Sequence, residues 1–341
     1  MNALETTAAE LVADGKGILA ADESNRTMAK RMEAAGATST PKTRLRFREL
    51  LVTTPGCADA MSGVILYDET LRQHASDGTL FPQLLESLGL ITGIKVDTGA
   101  KPLAGADGET VTEGLDGLRE RLAEYRDLGA RFAKWRAVLS VSPATPSRYC
   151  IAANAHALAR YAALCQEAGI VPIVEPEVLM DGDHTIDRSA QITEATLRAV
   201  FAELAEQRVL LEGIVLKPNM VLAGYGCPRQ PSVDEVAQRT LMVLRRVVPA
   251  AVPGIAFLSG GQSDERACAH LSAMNAAGAA PWELSFSYGR GLQAAALEAW
   301  AGREANADEA QEAFEHRARC TSAARRGRYD PELERARAVP A

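Results

Sequence analysis

A lysine at the end of a predicted buried strand is the first candidate for chemistry in this sequence. Three apolar residues, Ile214 to Leu216, run directly into Lys217, and a proline and an asparagine follow. A short apolar run that ends at a turn signal predicts a buried strand of a parallel sheet. Partial burial at the strand end would lower the lysine pKa from about 10.4 and make the amine a nucleophile. An unreactive surface lysine is the alternative. Charged residues at the ends of other strands would favour the reactive lysine over this alternative.

Two glutamates supply the proton transfer that such a nucleophile needs. Glu175 and Glu177 follow the apolar run at 170–174 and, on a regular strand, would face one side. Attack of an amine on a carbonyl gives a carbinolamine, and a general acid must protonate its hydroxyl before water leaves. Two carboxylates in one site push their pKa values apart, which would leave one protonated near neutrality. Solvated acids paired with basic residues are the alternative.

Charged residues also end other predicted strands. Asp22 follows the run at 18–21 and is the candidate base for a substrate hydroxyl, while Lys95, Lys134 and Arg136 lie at the third and fourth runs. A cation beside the nucleophile disfavours its protonated form, so Lys134 or Lys95 would lower the pKa of the reactive lysine further. Arg136 is a candidate for substrate binding. Charges of both signs at nearly every strand end favour an active site over chance.

A phosphate site is predicted where the last two strands end. Glycines let backbone N–H groups approach an anion, and serine and arginine add a hydroxyl and a guanidinium. The residues concerned are Ser259, Gly260, Gly261, Ser287, Gly289 and Arg290. Loops after the seventh and eighth strands are the frequent phosphate site of (β/α)₈ barrels. The letters LSGGQ also form the signature of ABC ATPases, but the GxxxxGK[ST] loop of those enzymes is missing from the sequence.

A second anion site is predicted near the end of the first strand, where hydroxyl and lysine side chains suit a phosphate. Its residues are Ser24, Thr27, Lys30 and Lys95, and Arg31 follows Lys30 in the same segment. The alternative is that Lys30 and Arg31 only form a solvated helix face.

Strands and helices must bring these residues together. Eight strand candidates alternate with helices at a spacing of roughly 30–40 residues, which predicts an α/β fold of the (β/α)₈ TIM-barrel type. A doubly wound open sheet is the competing architecture. Extra helices are expected at both termini. The 341 residues exceed the usual domain size, but barrels routinely run past about 250 residues, so we expect a single domain over 1–341 with a mobile tail at 330–341.

Composition restricts the possible partners. The net charge of −7 argues against nucleic acid and anionic membranes. Six cysteines without CxxC spacing indicate a reducing compartment, and five scattered histidines support no zinc site. The start of the chain is unlike a targeting signal, and no apolar run reaches the ~18 residues that span a bilayer. We therefore expect a cytoplasmic protein with no metal and no cofactor.

Several long segments resemble class I fructose-bisphosphate aldolases of the glycolytic type. They are GKGILAADES at 15–24, TTPG at 53–56, GIKVDTGAKPLAGADGET at 93–110, RFAKWR at 131–136, PIVEPEVLMDGDH at 172–184, LEGIVLKPNMV at 211–221, LSGGQS at 258–263 and SFSYGRGLQAAALEAW at 285–300. The resemblance covers about residues 4–329 in family order. It implies reversible, metal-independent cleavage of fructose 1,6-bisphosphate to dihydroxyacetone phosphate and glyceraldehyde 3-phosphate, in glycolysis or gluconeogenesis, by a cytoplasmic homotetramer.

The same resemblance implies a role for each candidate. Lys217 resembles the Schiff-base lysine, Glu175 the acid–base residue for iminium formation, and Asp22 the base on the C4 hydroxyl. Lys134 would assist, with Glu177 nearby. The glycine-rich set with Ser259 and Arg290 resembles the C1-phosphate cradle. The set with Ser24, Thr27 and Lys95 resembles the C6-phosphate end.

Three departures from the family pattern concern the substrate ends. Thr98 stands where many relatives have lysine, Arg26 stands where small residues are common, and Thr27 replaces a serine. These changes concern affinity at the C6-phosphate end. Animal relatives end in a tyrosine that exchanges a proton, whereas the last tyrosine here is Tyr329. Either a residue inside the mouth replaces that tyrosine, or the exchange step is slow.

Two other functions are alternatives for this sequence. One is another Schiff-base barrel aldolase or transaldolase acting on a related sugar phosphate, and the paired phosphate sites argue against it. The other is a catalytically silent barrel that serves as a scaffold, and the intact set of strand-end residues argues against it.

Overall fold

Eight parallel strands close into a barrel in the computed structural model, which describes residues 2–278 and 280–335. In chain order, and labelled β1 to β8, they are Gly17–Ala21, Met61–Leu66, Ile91–Lys95, Phe132–Leu139, Val171–Val178, Val215–Leu216, Gly254–Phe257 and Glu283–Tyr288. Each strand pairs with the next, and β8 pairs with β1. The predicted (β/α)₈ barrel is confirmed.

Helices surround the barrel and lie between its strands. Those of eight or more residues are Ala3–Leu11, Asn25–Ala34, Pro41–Val52, Leu118–Asp127, Arg148–Glu167, Ile186–Glu206, Val233–Val247, Asp264–Ala276, Arg290–Trp300 and Ala307–Arg325. Shorter ones are Cys57–Ala60, Asp68–Leu71, Phe81–Ser87, Glu332–Arg335 and the 3₁₀ turns Leu211–Gly213 and Glu304–Asn306. None of the helices that the structure describes is long and apolar enough to cross a membrane.

Two details differ from the sequence-based expectation. The sixth strand spans only Val215–Leu216, because Ile214 directly follows the 3₁₀ turn Leu211–Gly213 and lies outside the strand. An additional hairpin that the sequence does not predict follows β3, in which Gly99–Pro102 pairs with Thr110–Glu113. Of the expected mobile tail, residues 336–341 lie outside the described part, and Glu332–Arg335 forms a short helix.

Alternation along the strands separates inward from outward side chains, and the inward ones form two layers along the barrel axis. On β4, Phe132 belongs to an apolar cluster with residues of β1, β2, β5, β6 and β7. Lys134 and Arg136 follow at spacings of two, so they face the same side of the strand. Ala133 and Trp135 instead join the outer core that packs against the helices. The inward positions are therefore apolar at the amino end of the strand and charged at its carboxyl end.

The N-terminal helix Ala3–Leu11 covers the amino end of the barrel. Ala8, Leu11 and Val12 are fully buried within the same inner cluster as Phe132. A Cβ on Gly254 would lie 2.7 Å from Val12, so the helix packs tightly on β7. The open space of the barrel consequently lies at the carboxyl end.

Filling the barrel with Phe132 depends on a glycine opposite it. A Cβ added to Gly93 would lie 2.2 Å from the Phe132 ring. We predict that Gly93→Ala lowers the free energy of unfolding by about 1–3 kcal/mol, because the overpacked ring must shift. Urea denaturation measures the loss, and Phe132→Leu in the Gly93→Ala background should recover part of it. Additive losses from the two substitutions would contradict this packing.

Candidate active site

The carboxyl ends of the strands surround a cavity of about 770 Å³, which we call the mouth. All but one of the site residues expected from the sequence line it. They are Asp22, Ser24, Thr27, Lys95, Lys134, Arg136, Glu175, Glu177, Lys217, Ser259, Gly260, Gly261, Ser287, Gly289 and Arg290. Strand periodicity explains the convergence. Lys217 continues the inward side that Val215 begins, and Glu175 continues the side of Ile173.

Four buried charges form a continuous chain at the base of the mouth. The Lys134 ammonium lies 2.7 Å from Asp22 Oδ2 and 3.4 Å from Glu175 Oε2. The Lys217 ammonium lies 3.2 Å from Glu175 Oε1. Two ammonium and two carboxylate groups balance in charge, which is the condition under which ions tolerate burial.

The cations decide the protonation of both carboxylates. Burial alone would raise the pKa of Asp22, but Lys134 and Lys217 outweigh it and hold that pKa at about 2. Burial likewise opposes ionisation of Glu175, yet Lys134, Lys217 and Arg136 lower its pKa below the ordinary value. Lys134 in turn has its pKa raised because its carboxylate neighbours outweigh burial. All three groups are therefore charged near neutrality in the free protein.

This charge state corrects one sequence-based expectation. The sequence predicts that Glu175 and Glu177 push their pKa values apart and that one carboxyl stays protonated. Instead Arg136 donates to Glu177, and Glu175 lies between two ammonium groups. Counting carboxylates along one strand overlooked the cations that neighbouring strands contribute.

The cradle after β7 and β8 has the features of an anion site. Gly260 and Gly261 have φ of +58° and +82°, which side chains rarely adopt. A Cβ on Gly261 would lie 2.8 Å from Arg290 Nη2, so the guanidinium approaches the bare backbone closely. The buried Ser287 hydroxyl has no hydrogen-bond partner among the described atoms. A ligand in the mouth can use this hydroxyl, because buried polar groups are otherwise satisfied.

A second group of hydroxyls and cations lies across the mouth. Ser24 caps the helix Asn25–Ala34 and lies 3.1 Å from the Thr27 hydroxyl. Lys95 donates to the Asp97 carboxylate at 2.6 Å, so part of its charge is already neutralised. Thr98, one of the departures from the family pattern, also lines the mouth.

Lys30 is the expected site residue that the structure places elsewhere. It is exposed and is not among the described residues that line the mouth, whereas its neighbour Arg31 is. Helical periodicity explains the difference, because positions 24, 27 and 31 share one face and position 30 does not. Arg26 is also exposed and outside the mouth.

Sequence reasoning missed several further lining residues, and Asp97, Tyr67 and Tyr225 are among them. Asp97 accepts from Lys95 and from the Arg136 backbone N–H, at 2.6 and 3.3 Å. Tyr67 and Tyr225 also line the mouth. Asp97 follows β3 directly and its position gave a usable signal. Tyr225 lies in an irregular loop, where periodicity gives none.

One trio among the described residues is close enough for metal binding, and it lies outside the mouth. His316, Cys320 and Glu334 place their ligand atoms within 4.8 Å of one another. The Glu334 carboxylate is already engaged by Arg317 and by the Tyr329 hydroxyl. The Arg317 guanidinium already neutralises the carboxylate that a metal ion would bind. We therefore interpret the trio as part of an ion-pair cluster. The last tyrosine, Tyr329, therefore belongs to this cluster and does not line the mouth.

Comparisons with known proteins agree in family and fold. A family model described as fructose-bisphosphate aldolase class-I matches residues 3–340. A probable fructose-bisphosphate aldolase class 1 of Xanthomonas campestris is 59% identical over 87% of this chain and 89% of its own. Fructose-bisphosphate aldolase B of Gallus gallus is 52% identical over 96% and 90%, respectively. A structure of fructose-bisphosphate aldolase from Plasmodium falciparum, in complex with TRAP and a small molecule inhibitor, has a TM-score of 0.95 and 48% identity, covering 96% of this chain and 95% of that chain.

The buried charges generate a prediction about stability. We expect Lys134→Met to lower the free energy of unfolding by about 3–5 kcal/mol at pH 7, because Asp22 and Glu175 lose a buried partner. In the parent protein Asp22 has a lowered pKa, about 2, so its contribution is present above about pH 4 and is lost as the pH falls toward 2. In the variant the buried carboxyls resist ionisation.

The difference between the two proteins should therefore grow as the pH rises from 4 to 7. Urea denaturation at several pH values measures it. Lys42→Met, at an exposed position of the helix Pro41–Val52, is the control and should show no such trend. A loss that is equal at every pH would contradict the charge assignment.

Proposed function

This chain belongs to the class-I fructose-bisphosphate aldolase family, and from that premise we propose which of its residues carries each step. The enzyme is a lyase of glycolysis that cleaves fructose 1,6-bisphosphate reversibly to dihydroxyacetone phosphate and glyceraldehyde 3-phosphate through a lysine Schiff base. Family membership sets aside the transaldolase-like and scaffold alternatives. The observation that carries the residue assignment is the 3.2 Å contact between Lys217 and Glu175 inside the mouth.

The first step is formation of the iminium. Glu175 is ionised and lies within reach of Lys217, so it accepts a proton from the ammonium and leaves a neutral amine. The amine attacks the C2 carbonyl of the substrate and forms a carbinolamine. Glu175 then returns its proton to the carbinolamine hydroxyl, which leaves as water. Lys134 stays charged beside Glu175 and stabilises its anionic form before the first transfer and after the second.

The second step is cleavage of the C3–C4 bond. Asp22 takes the proton of the C4 hydroxyl, the C3–C4 electron pair moves toward the iminium nitrogen, and glyceraldehyde 3-phosphate leaves. A carboxylate with a pKa of about 2 is a weak base, but Lys217 is one cause of that low value. Cleavage converts the cationic iminium into a neutral enamine, so the pKa of Asp22 rises in the same step that protonates it.

The two ends of the mouth hold the two phosphates in this proposal. The C1 phosphate binds Ser259, Gly260, Gly261, Ser287, Gly289 and Arg290. The C6 phosphate binds Ser24, Thr27, Lys95 and Arg31, the last replacing the Lys30 expected from the sequence. Arg136 donates to Glu177, and the guanidinium also lines the mouth, where it can contact the substrate.

The wider setting is proposed from the family resemblance. We propose a single-domain chain that assembles as a homotetramer, acts in the cytoplasm and uses no nucleic-acid or membrane partner. The Schiff base supplies the electron sink for cleavage, so the proposed reaction needs no metal.

Lys217 is tested by trapping the covalent intermediate. Borohydride reduction in the presence of dihydroxyacetone phosphate should add one substrate mass to Lys217, because its amine lies 3.2 Å from the proton-accepting Glu175. The other amine near Glu175, that of Lys134, is held by Asp22 at 2.7 Å and stays charged. Peptide mapping by mass spectrometry locates the adduct. Lys217→Met should abolish it. An adduct on another lysine, or none in the parent enzyme, would refute the assignment.

Arg290 is tested by substrate binding. Arg290→Ala should weaken binding of fructose 1,6-bisphosphate by about 2–4 kcal/mol, because it removes a charged contact with a phosphate. Fructose 1-phosphate retains that phosphate and should lose affinity by the same factor. Arg26→Ala, exposed outside the mouth, is the matched control and should bind normally. Unchanged affinity in Arg290→Ala would place the C1 phosphate elsewhere.

A further inference from the structure

Tyr225 lies on the loop that follows the reactive lysine, and its role is not explained by the steps above. Its side chain is 48% exposed and lines the mouth. The loop backbone is fixed, because the Tyr225 N–H donates to Met180 O at 3.0 Å and the Gly226 N–H donates to Gly182 O at 2.7 Å. A Cβ on Gly224 would lie 2.4 Å from Gly182 O, so the loops after β5 and β6 are in contact. The phenol is thus presented by a rigid support.

The phenol bonds to the phosphate cradle. Its hydroxyl donates to Gly260 O at 2.5 Å. A Cβ on Gly261 would lie 3.2 Å from this hydroxyl and 2.8 Å from Arg290 Nη2, so the phenol and the guanidinium approach the same glycine. Burial raises the pKa of Tyr225, which keeps the hydroxyl protonated and able to donate near neutrality.

A bond to this particular carbonyl has a consequence for anion binding. Gly260 and Gly261 both have positive φ, and glycine pairs are the least restricted part of a backbone. The C=O of Gly260 and the N–H of Gly261 belong to one planar trans peptide and point in opposite directions. Rotation of that peptide would exchange an N–H donor for a carbonyl oxygen, which repels an anion. The tyrosine bond holds the peptide in one orientation.

We propose that Tyr225 is a positioning residue for the phosphate next to the substrate carbonyl, acting through the Gly260–Gly261 peptide. The proposal rests on the proposed location of that phosphate in the cradle after β7 and β8. Tyr225 spans from the loop after β6, which begins at Lys217, to the loop after β7. It therefore links the loop that binds the phosphate to the loop that carries the amine. That amine attacks the carbonyl carbon, which two atoms separate from the phosphorus.

In the synthetic direction the two substrates use different ends of the mouth. Their separate KM values therefore distinguish a local effect on one phosphate from a general loss of active-site structure. In Tyr225→Phe the KM for dihydroxyacetone phosphate should rise about tenfold, the loss of one hydrogen bond to an oriented peptide. The KM for glyceraldehyde 3-phosphate and the kcat should stay within about twofold. The variant should fold, since the side chain is half exposed and the ring is retained.

Tyr149 provides the matched control, because it is 52% exposed on the helix Arg148–Glu167 and does not line the mouth. Tyr149→Phe should change neither KM. An unchanged KM for dihydroxyacetone phosphate in Tyr225→Phe, or an equal rise for both substrates, would overturn the proposal. Arg290→Ala distinguishes the two levels. If Arg290→Ala raises the KM for dihydroxyacetone phosphate and Tyr225→Phe does not, only the role proposed for Tyr225 is wrong. If neither variant raises that KM, the proposed location of the phosphate is wrong as well.

Discussion

The ammonium of Lys134, buried between Asp22 and Glu175, is the interaction on which the rest of the mouth depends. It lies 2.7 Å from one carboxylate and 3.4 Å from the other, and these come from opposite sides of β4 in the barrel order. Without a cation at this point two carboxylates would be buried beside a single lysine, and one would take up a proton. The barrel makes the arrangement possible, because its apolar inner layer fixes the strands that carry all four charges.

Charge balance also explains how one small set of side chains can act in successive steps. In the mechanism that we propose, Glu175 exchanges a proton with Lys217 while Lys134 keeps its charge, and Asp22 becomes a better base when the nitrogen of Lys217 loses its charge. Each change of protonation alters the pKa of a neighbour a few ångströms away. The groups are therefore better described as one coupled system than as separate acids and bases.

The sequence predicted the barrel and most of the mouth, and the reasons for the misses are physical. Strand periodicity and the turn after Leu216 were sufficient to place Lys217, because an inward residue at the carboxyl end of a barrel strand faces the mouth. Lys30 was misplaced because it is one position away from the face that Ser24, Thr27 and Arg31 share. The ionisation of Glu175 depends on cations from adjacent strands, which no local pattern shows. Tyr225 reaches the cradle through hydrogen bonds between two irregular loops.

The helix Ala3–Leu11 covers the amino end of the barrel, and its residues Ala8 and Leu11 are fully buried there. The reaction chamber is consequently a blind well and not a tunnel. In the proposed mechanism the aldehyde fragment departs by the same opening through which the sugar arrived, while the ketone fragment is still joined to Lys217. The single opening and the covalent bond together set the order of product release in this mechanism. The aldehyde leaves first, and the covalently held fragment leaves last.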